Sequence, residues 1–141
     1  MIYYAYYNTQ GKYVQTGTTL EEVKQSDIPQ GCQVYYGPVN IMNQYHDINS
    51  NIPVTMPNSP GDNYIFNYTS KSWELDLVQA DLAAKYKRDQ LLLESDWTDT
   101  VSAQIRLGAL YDTWQIYRQA LRDITNQAGY PANILWPTKP V

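Results

Sequence analysis

Apolar and polar positions alternate in short runs through the first half of the chain and at helical spacing through the second. Ile2 to Tyr7 reads as a first strand, with aromatic rings able to show on both faces. The turn Asn8-Thr9-Gln10-Gly11 follows, and Lys12 to Thr16 returns as the second strand of a hairpin. Thr18 to Glu22 holds Thr-x-x-Glu twice, the spacing of a capping box, which predicts a short helix to about Gln25. Ile28-Pro29 ends it. Cys32 to Tyr36 is a third strand, closed by Gly37-Pro38. Ile41 to Tyr45 and Ile52 to Met56 are strand candidates, restricted to sheet edges by Pro53 and Pro57. Tyr64 to Tyr68, the turn Thr69-Ser70-Lys71, and Ser72 to Leu75 make a second hairpin.

From Asp76 the period changes. Asp76 to Glu94 holds helix formers and neither Gly nor Pro. Ser95 to Asp99 interrupts it with residues that favour local side-chain hydrogen bonds. A second helix is expected from about Thr100 to Gln127. Its apolar positions Leu107, Leu110, Trp114, Tyr117, Leu121 and Ile124 form a heptad seam, and Gly129 is placed as its C-cap. Five of the eight prolines lie between Pro29 and Pro60 and the last three in the final eleven residues, so a proline-bounded tail closes the chain. Residues 1–73 hold eight charged side chains and residues 74–141 hold sixteen, which repeats the division. The expected fold is α+β. A Tyr-rich antiparallel β domain (1–75) precedes a domain (76–141) made of a helical hairpin and a Pro-bounded extended tail.

Composition narrows the function classes. The net charge is −4, so there is no basic excess to neutralise nucleic-acid phosphates. One Cys and one His exclude an internal disulfide and a structural zinc site. No apolar run approaches the roughly 20 residues that span a bilayer, and Met1-Ile2-Tyr3-Tyr4 is not the start of a secretory signal. The 14 Tyr against one Phe point to thin sheets or broad contact surfaces rather than a deep catalytic core.

Few residues suggest chemistry. His46 beside Asp47 lies in an extended segment where neighbours point to opposite faces, so it reads as a surface-loop histidine. Cys32 reads as a small buried apolar residue. Asp96 and Asp99, which flank Trp97, read as helix N-caps. Asn67-Tyr68-Thr69 matches a glycosylation sequon of little weight without a secretion signal, and Asp47 to Asn51 lacks the Gly and Glu of a calcium loop. Arg118 and Arg122 are four apart and project from one helical face, as forks for a partner's carboxylates or carbonyls. Trp136-Pro137 sits in a tail with no element of its own. The ring either folds back onto the body or enters another protein's groove, as Ile134, two residues before it, can also do. No cofactor is expected, and no catalytic constellation.

The C-terminal third resembles a known module. The residues are Arg88-x-x-Leu91-Leu92-x-x-Ser95-Asp96-Trp97-Thr98, then Trp114-x-x-Tyr117-Arg118-Gln119-Ala120-Leu121-Arg122-Asp123-Ile124, then Gln127-x-Gly129-Tyr130-Pro131-x-x-Ile134-x-Trp136-Pro137-x-x-Pro140. At about residues 85–140 the chain is similar to the phage tail assembly chaperone and tail-fibre assembly protein family. Thr125 stands where many relatives have Pro, which would let the second helix run further.

The resemblance implies a non-enzymatic protein that binds a phage tail-fibre or tail protein and aids its folding, trimerisation or attachment. The implied place is the host cytoplasm during assembly, or the virion tail. Neither nucleic acid nor a membrane is an expected partner, and further copies of the chain in a tail assembly are. The candidates for partner binding are Trp97, Trp114, Tyr117, Arg118, Arg122, Ile134, Trp136 and Pro137. Two other readings are a tail-fibre or baseplate component that keeps the module permanently, and a carbohydrate-binding fibre-tip protein suggested by the aromatic β region.

Overall fold

The computed structural model describes residues 1–141. The fold is α+β, in two compact units, Met1–Glu74 and Leu75–Val141.

In the first unit, β1 (Ile2–Asn8) is the centre of a three-stranded antiparallel sheet. It is flanked by β2 (Tyr13–Thr19) and β3 (Cys32–Tyr36). Two antiparallel pairs follow, β4 (Gln44–Asp47) with β5 (Ile52–Thr55), and β6 (Tyr64–Asn67) with β7 (Ser72–Leu75). The candidate from Ile52 forms β5, but the candidate Ile41 to Tyr45 is displaced: residues 41–43 are a turn, and β4 starts only at Gln44, with His46 opposite Pro53. The short helix expected after Thr18 is absent. β2 runs on to Thr19 because its residues pair with the start of β1, Ile2 against Thr19. Only a 3-10 turn, Gln25–Asp27, forms before Pro29.

His46 overturns its expected surface position, for it has no solvent exposure. Its ring stacks on Tyr7 with centroids 3.8 Å apart and meets Tyr13 edge-on. Nε2 lies 2.9 Å from Asn51 Oδ1 and Nδ1 lies 3.0 Å from the Tyr13 hydroxyl. Asn51 Oδ1 only accepts, which puts the ring proton on Nε2 and leaves Nδ1 to accept from Tyr13. Both ring nitrogens are satisfied without a charge, which is the condition for burying an imidazole. The His46 backbone N–H donates to Gly11 O at 2.8 Å. Gly11 has φ +84, and a side chain there would run into the His46 carbonyl. The turn therefore needs glycine for its conformation and for the close approach of β4. Around this ring lies the core of Ala5, Tyr7 and Tyr13, with Tyr35 and Val39 packed against it. A second aromatic group surrounds buried Phe66, which contacts Tyr45, Tyr68 and Trp73. Trp73 Nε1 donates to Pro57 O at 2.7 Å. Cys32 is a free thiol, half-buried rather than enclosed.

The second unit opens with α1 (Leu77–Ser95). Asp76 caps it by accepting from Val78 N and Gln79 N at 3.0 and 3.1 Å. Instead of one long second helix, two form, α2 (Val101–Leu107) and α3 (Leu110–Arg122). Thr100 caps α2, its Oγ1 accepting from Ala103 N at 3.1 Å. Gly108 ends it with φ +52, a conformation that only glycine adopts freely. The hairpin expected from the pattern is therefore a three-helix arrangement. The absence of Pro at Thr125 does not extend α3, which gives way to a 3-10 turn over Asp123–Asn126. Gly129 is not its cap but lies in the next turn, where its carbonyl accepts from Asn133 N at 2.6 Å. The seam is buried at Trp114, Tyr117, Leu121 and Ile124, while Leu110 stays 47% exposed. No helix is long and apolar enough to cross a membrane.

Replacing His46 with Phe keeps a flat ring but strips the buried Tyr13 hydroxyl of its acceptor. The expected loss is about 1–3 kcal/mol, read by chemical denaturation of the full chain. A midpoint equal to the parent's would contradict the buried, doubly bonded imidazole.

Candidate interaction site

The residues quoted for the resemblance converge at the C-terminal end of α1. The last carbonyls of any α-helix lack intrahelical partners and carry the negative end of its dipole. Here Arg118 of α3 supplies the missing donors. Its Nη1 donates to Leu92 O at 2.9 Å and to Ser95 Oγ at 2.8 Å, and its Nη2 donates to Asp96 Oδ1 at 2.9 Å. Asp99 Oδ2 lies 3.8 Å from Nη2. Ser95 Oγ is in reach of the carbonyls of Leu91 and Leu92, both at 2.9 Å, and Thr98 Oγ1 donates to Ser95 O at 2.7 Å. Ser95 and Thr98 are buried, and Arg118 is 4% exposed.

Two expectations change. Arg118 is not a fork held out to a partner, because the seam turns it inward, where its terminal nitrogens serve the end of α1. Asp96 and Asp99 are not N-caps. Thr100 takes that role for α2, and Asp96 is the counter-ion of the buried guanidinium.

Trp114 and Tyr117 are also internal. They form a buried cluster with Leu121, against which Leu91, Leu92, Leu107 and Trp136 pack. Burial pushes the Tyr117 phenol pKa up, and the Glu94 carboxylate adds to the shift. Trp97 meets Trp114 edge-on at 5.5 Å yet stays 48% exposed. Arg122 is exposed and forms no ion pair within the chain.

The tail folds back. Gln127 pins it with both ends of its amide, Nε2 donating to Leu135 O at 2.9 Å and Oε1 accepting from Leu135 N at 2.8 Å. Three side chains then tie it along α1. The Tyr130 hydroxyl donates to Asp81 Oδ1 at 2.6 Å. The Trp136 ring lies 4.3 Å beneath Lys87 Nζ, and Lys139 Nζ is 3.6 Å from Glu94. Ile134, Trp136 and Pro137 are half-buried as a result, while Leu135 points outward at 84% exposed. The Tyr130 hydroxyl, with Lys85 second, holds the Asp81 carboxyl below its usual range. Burial foremost, and then Asp81, raises the Tyr130 phenol.

One surface was not singled out by the sequence reading. Val78, Leu82, Tyr86 and Leu93 of α1 are 68%, 54%, 69% and 65% exposed. At 3.6 residues per turn they fall within about 80° of the helix circumference. The opposite side, with Ala80, Ala84 and Ser95, is buried. The signal was present as a helix with apolar side chains all round, which means a second face needing cover.

The fold and this arrangement define an α+β protein whose helical unit is locked by a buried arginine and a strapped tail. Residues 82–141 match the model of the phage tail assembly chaperone protein family. The family is one of chaperones and not an enzyme class. No curated protein and no solved structure matches the chain.

Arg118→Met should lower stability by about 3 kcal/mol, since charge-assisted bonds to a helix end and a carboxylate are lost together. Arg122→Met should leave the denaturation midpoint within about 0.5 kcal/mol. Equal effects for the two variants would refute the buried cap.

Asp81 gives a pH dependence with a definite sign. Its pKa is depressed in the folded chain, so its contribution is complete above the ordinary Asp value and fades as pH falls through the folded one. Thermal midpoints should drop on acidification below about pH 4. Asp81→Asn should reduce that drop, and an unchanged acid profile would count against the Tyr130–Asp81 tie.

Proposed function

We propose that this protein is a bacteriophage tail or tail-fibre assembly chaperone. It binds a tail or fibre protein through its helical unit, in the host cytoplasm, and aids folding, trimerisation or attachment without a catalytic step. The observation that carries the reading is a coincidence of boundaries. The family match covers residues 82–141, and the compact helical unit is Leu75–Val141.

Physical features of that unit support a binding role. Its interior charge, Arg118, is consumed internally, while aromatic, apolar and cationic groups remain outside. Trp97 is half-exposed at the α1 end, Arg122 is free on α3, and Leu135 stands out from the strapped tail. Trp and Arg with an apolar rim are the residue types that dominate interface energies. Tail fibres are long β-rich trimers, and their unpaired strands aggregate until assembly is complete. A small module that covers such a surface would keep the subunits soluble. Ile134, Trp136 and Pro137 contribute as the ledge that positions Leu135 and keeps part of the indole open to a partner.

Co-expression with the fibre or tail protein tests the reading. Trp97→Ala and Arg122→Ala should each reduce the yield of soluble, assembled partner several-fold while the protein itself stays folded. Each anchor accounts for about 2 kcal/mol of binding. Normal assembly in the complete absence of this protein would end the proposal.

A further inference from the structure

The three-stranded sheet of the first unit is open at β2. Its strand order is β2-β1-β3, and no further strand pairs with β2. The register shows which backbone groups stay free along that edge. Gly37 N–H donates to Tyr3 O at 2.9 Å, so Tyr3 turns its polar groups towards β3. Alternation along an antiparallel ladder then turns Tyr4 and Tyr6 towards β2, and Ala5 towards β3. Thr18 stands opposite Tyr3 and Thr16 opposite Ala5. The N–H and C=O groups of both threonines therefore point away from β1, and no other backbone group of the chain bonds them. Thr16 and Thr18 are exposed.

Edges of this kind are commonly blunted by charge, by proline or by a covering element. Tyr13–Thr19 carries neither charge nor proline. Its one irregularity is a bulge at Val14, where the register with β1 slips between Tyr6 and Tyr7, so the regular edge is Gln15–Thr19. The residues that bound this edge match across its midpoint, Gly17. Val14 and Leu20 lie just outside it, 46% and 82% exposed. Two residues further out lie Lys12 and Glu22, both exposed. Lys12 Nζ is 5.8 Å from the Tyr68 ring centroid, and neither Lys12 nor Glu22 is in an ion pair of the chain.

We propose that β2 pairs antiparallel with β2 of a second copy of this chain, about a two-fold axis at Gly17. Thr16 of each copy then faces Thr18 of the other, and their outward N–H and C=O groups bond reciprocally. Val14 of each copy lies against Leu20 of the other, and Lys12 against Glu22. Two neighbouring registers would also pair outward-facing residues. An axis at Thr16 sets Lys12 against Leu20, and an axis at Thr18 sets Val14 against Glu22. The Gly17 axis matches apolar with apolar and cation with carboxylate, and symmetry makes each contact twice. A strand of another protein would satisfy the same backbone groups, but the matched ends select a copy of the chain. The pairing concerns the β unit, and it stands or falls separately from the chaperone reading of the helical unit.

Cross-linking of the full-length chain reads the register. Gln15 and Thr19 become opposite neighbours in a non-hydrogen-bonded pair, with Cα atoms about 4.5 Å apart, within reach of a disulfide. In a Cys32→Ser background, a mixture of Gln15→Cys and Thr19→Cys chains should give a covalent dimer on mild oxidation. Gln15→Cys alone should give about tenfold less, because the two copies of that position lie about 14 Å apart along the strands. The parent should sediment at twice the 16.3 kDa chain mass at about 100 μM. Thr18→Pro removes an outward N–H and no bond to β1, so it should return the chain to the monomer with its circular dichroism unchanged. Lys12→Glu should weaken the dimer about tenfold, and adding Glu22→Lys should restore it. A monomeric parent, equal cross-linking by Gln15→Cys alone, or a dimer indifferent to Thr18→Pro overturns the proposal. So does a monomeric parent whose Thr18→Pro variant no longer binds the tail protein, an outcome that assigns the edge to that protein and leaves the chaperone reading intact.

Discussion

The guanidinium of Arg118 sits at the C-terminal end of α1, 4% exposed, with its donors on Leu92 O, Ser95 Oγ and Asp96. Those acceptors carry the partial negative charge of a helix end and the full charge of a carboxylate, so a buried cation is stabilised there. The geometry has consequences on both sides. It fixes α3 against α1 at the level of Trp114, Tyr117 and Leu121, and it holds Ser95 to Thr98 in the tight turn that leads to α2. Without the cation, the end of α1 would leave buried acceptors unsatisfied and the turn would lose its anchor.

The tail is the second consequence. Trp136 packs on the cluster that Arg118 helps to set, and Lys87, Glu94 and Asp81 receive the tail along α1. Each of these surface ties is weak by itself. Together with the Gln127 amide they order a segment that has no secondary structure of its own. The interior of the helical unit is thus spent on holding itself together. What is left outside is Trp97, Arg122, Leu135 and the exposed face of α1.

In the β unit the comparable role belongs to His46. A neutral imidazole bonded at both nitrogens and stacked on Tyr7 lets a Tyr-built core close around a polar ring. That arrangement explains Tyr in place of Phe at position 13, since its hydroxyl is bonded to His46 inside the core.

The sequence by itself determined the elements with local causes. The hairpins at Asn8–Gly11 and Thr69–Lys71, the strand Cys32 to Tyr36, the helix after Asp76 and the burial of Trp114, Tyr117, Leu121 and Ile124 follow from turn residues, helix formers and periodicity. The motif from Arg88 to Pro140 also carried the resemblance to the matched family, because its spacing survives in the linear chain. Tertiary structure alone decided the rest. Whether Arg118 faces solvent or the end of α1 depends on which way α3 rolls, and a four-residue spacing to Arg122 is equally compatible with both. His46 became buried because β4 docks on a turn 35 residues earlier, through a hydrogen bond to Gly11 that no local pattern encodes. Gly108 ended a helix that the heptad seam continued through, since glycine is free to adopt positive φ but is not obliged to, and the packing on either side decided that it does. The α1 stripe is apolar in sequence, but its exposure was settled by which of two apolar faces the rest of the unit covered.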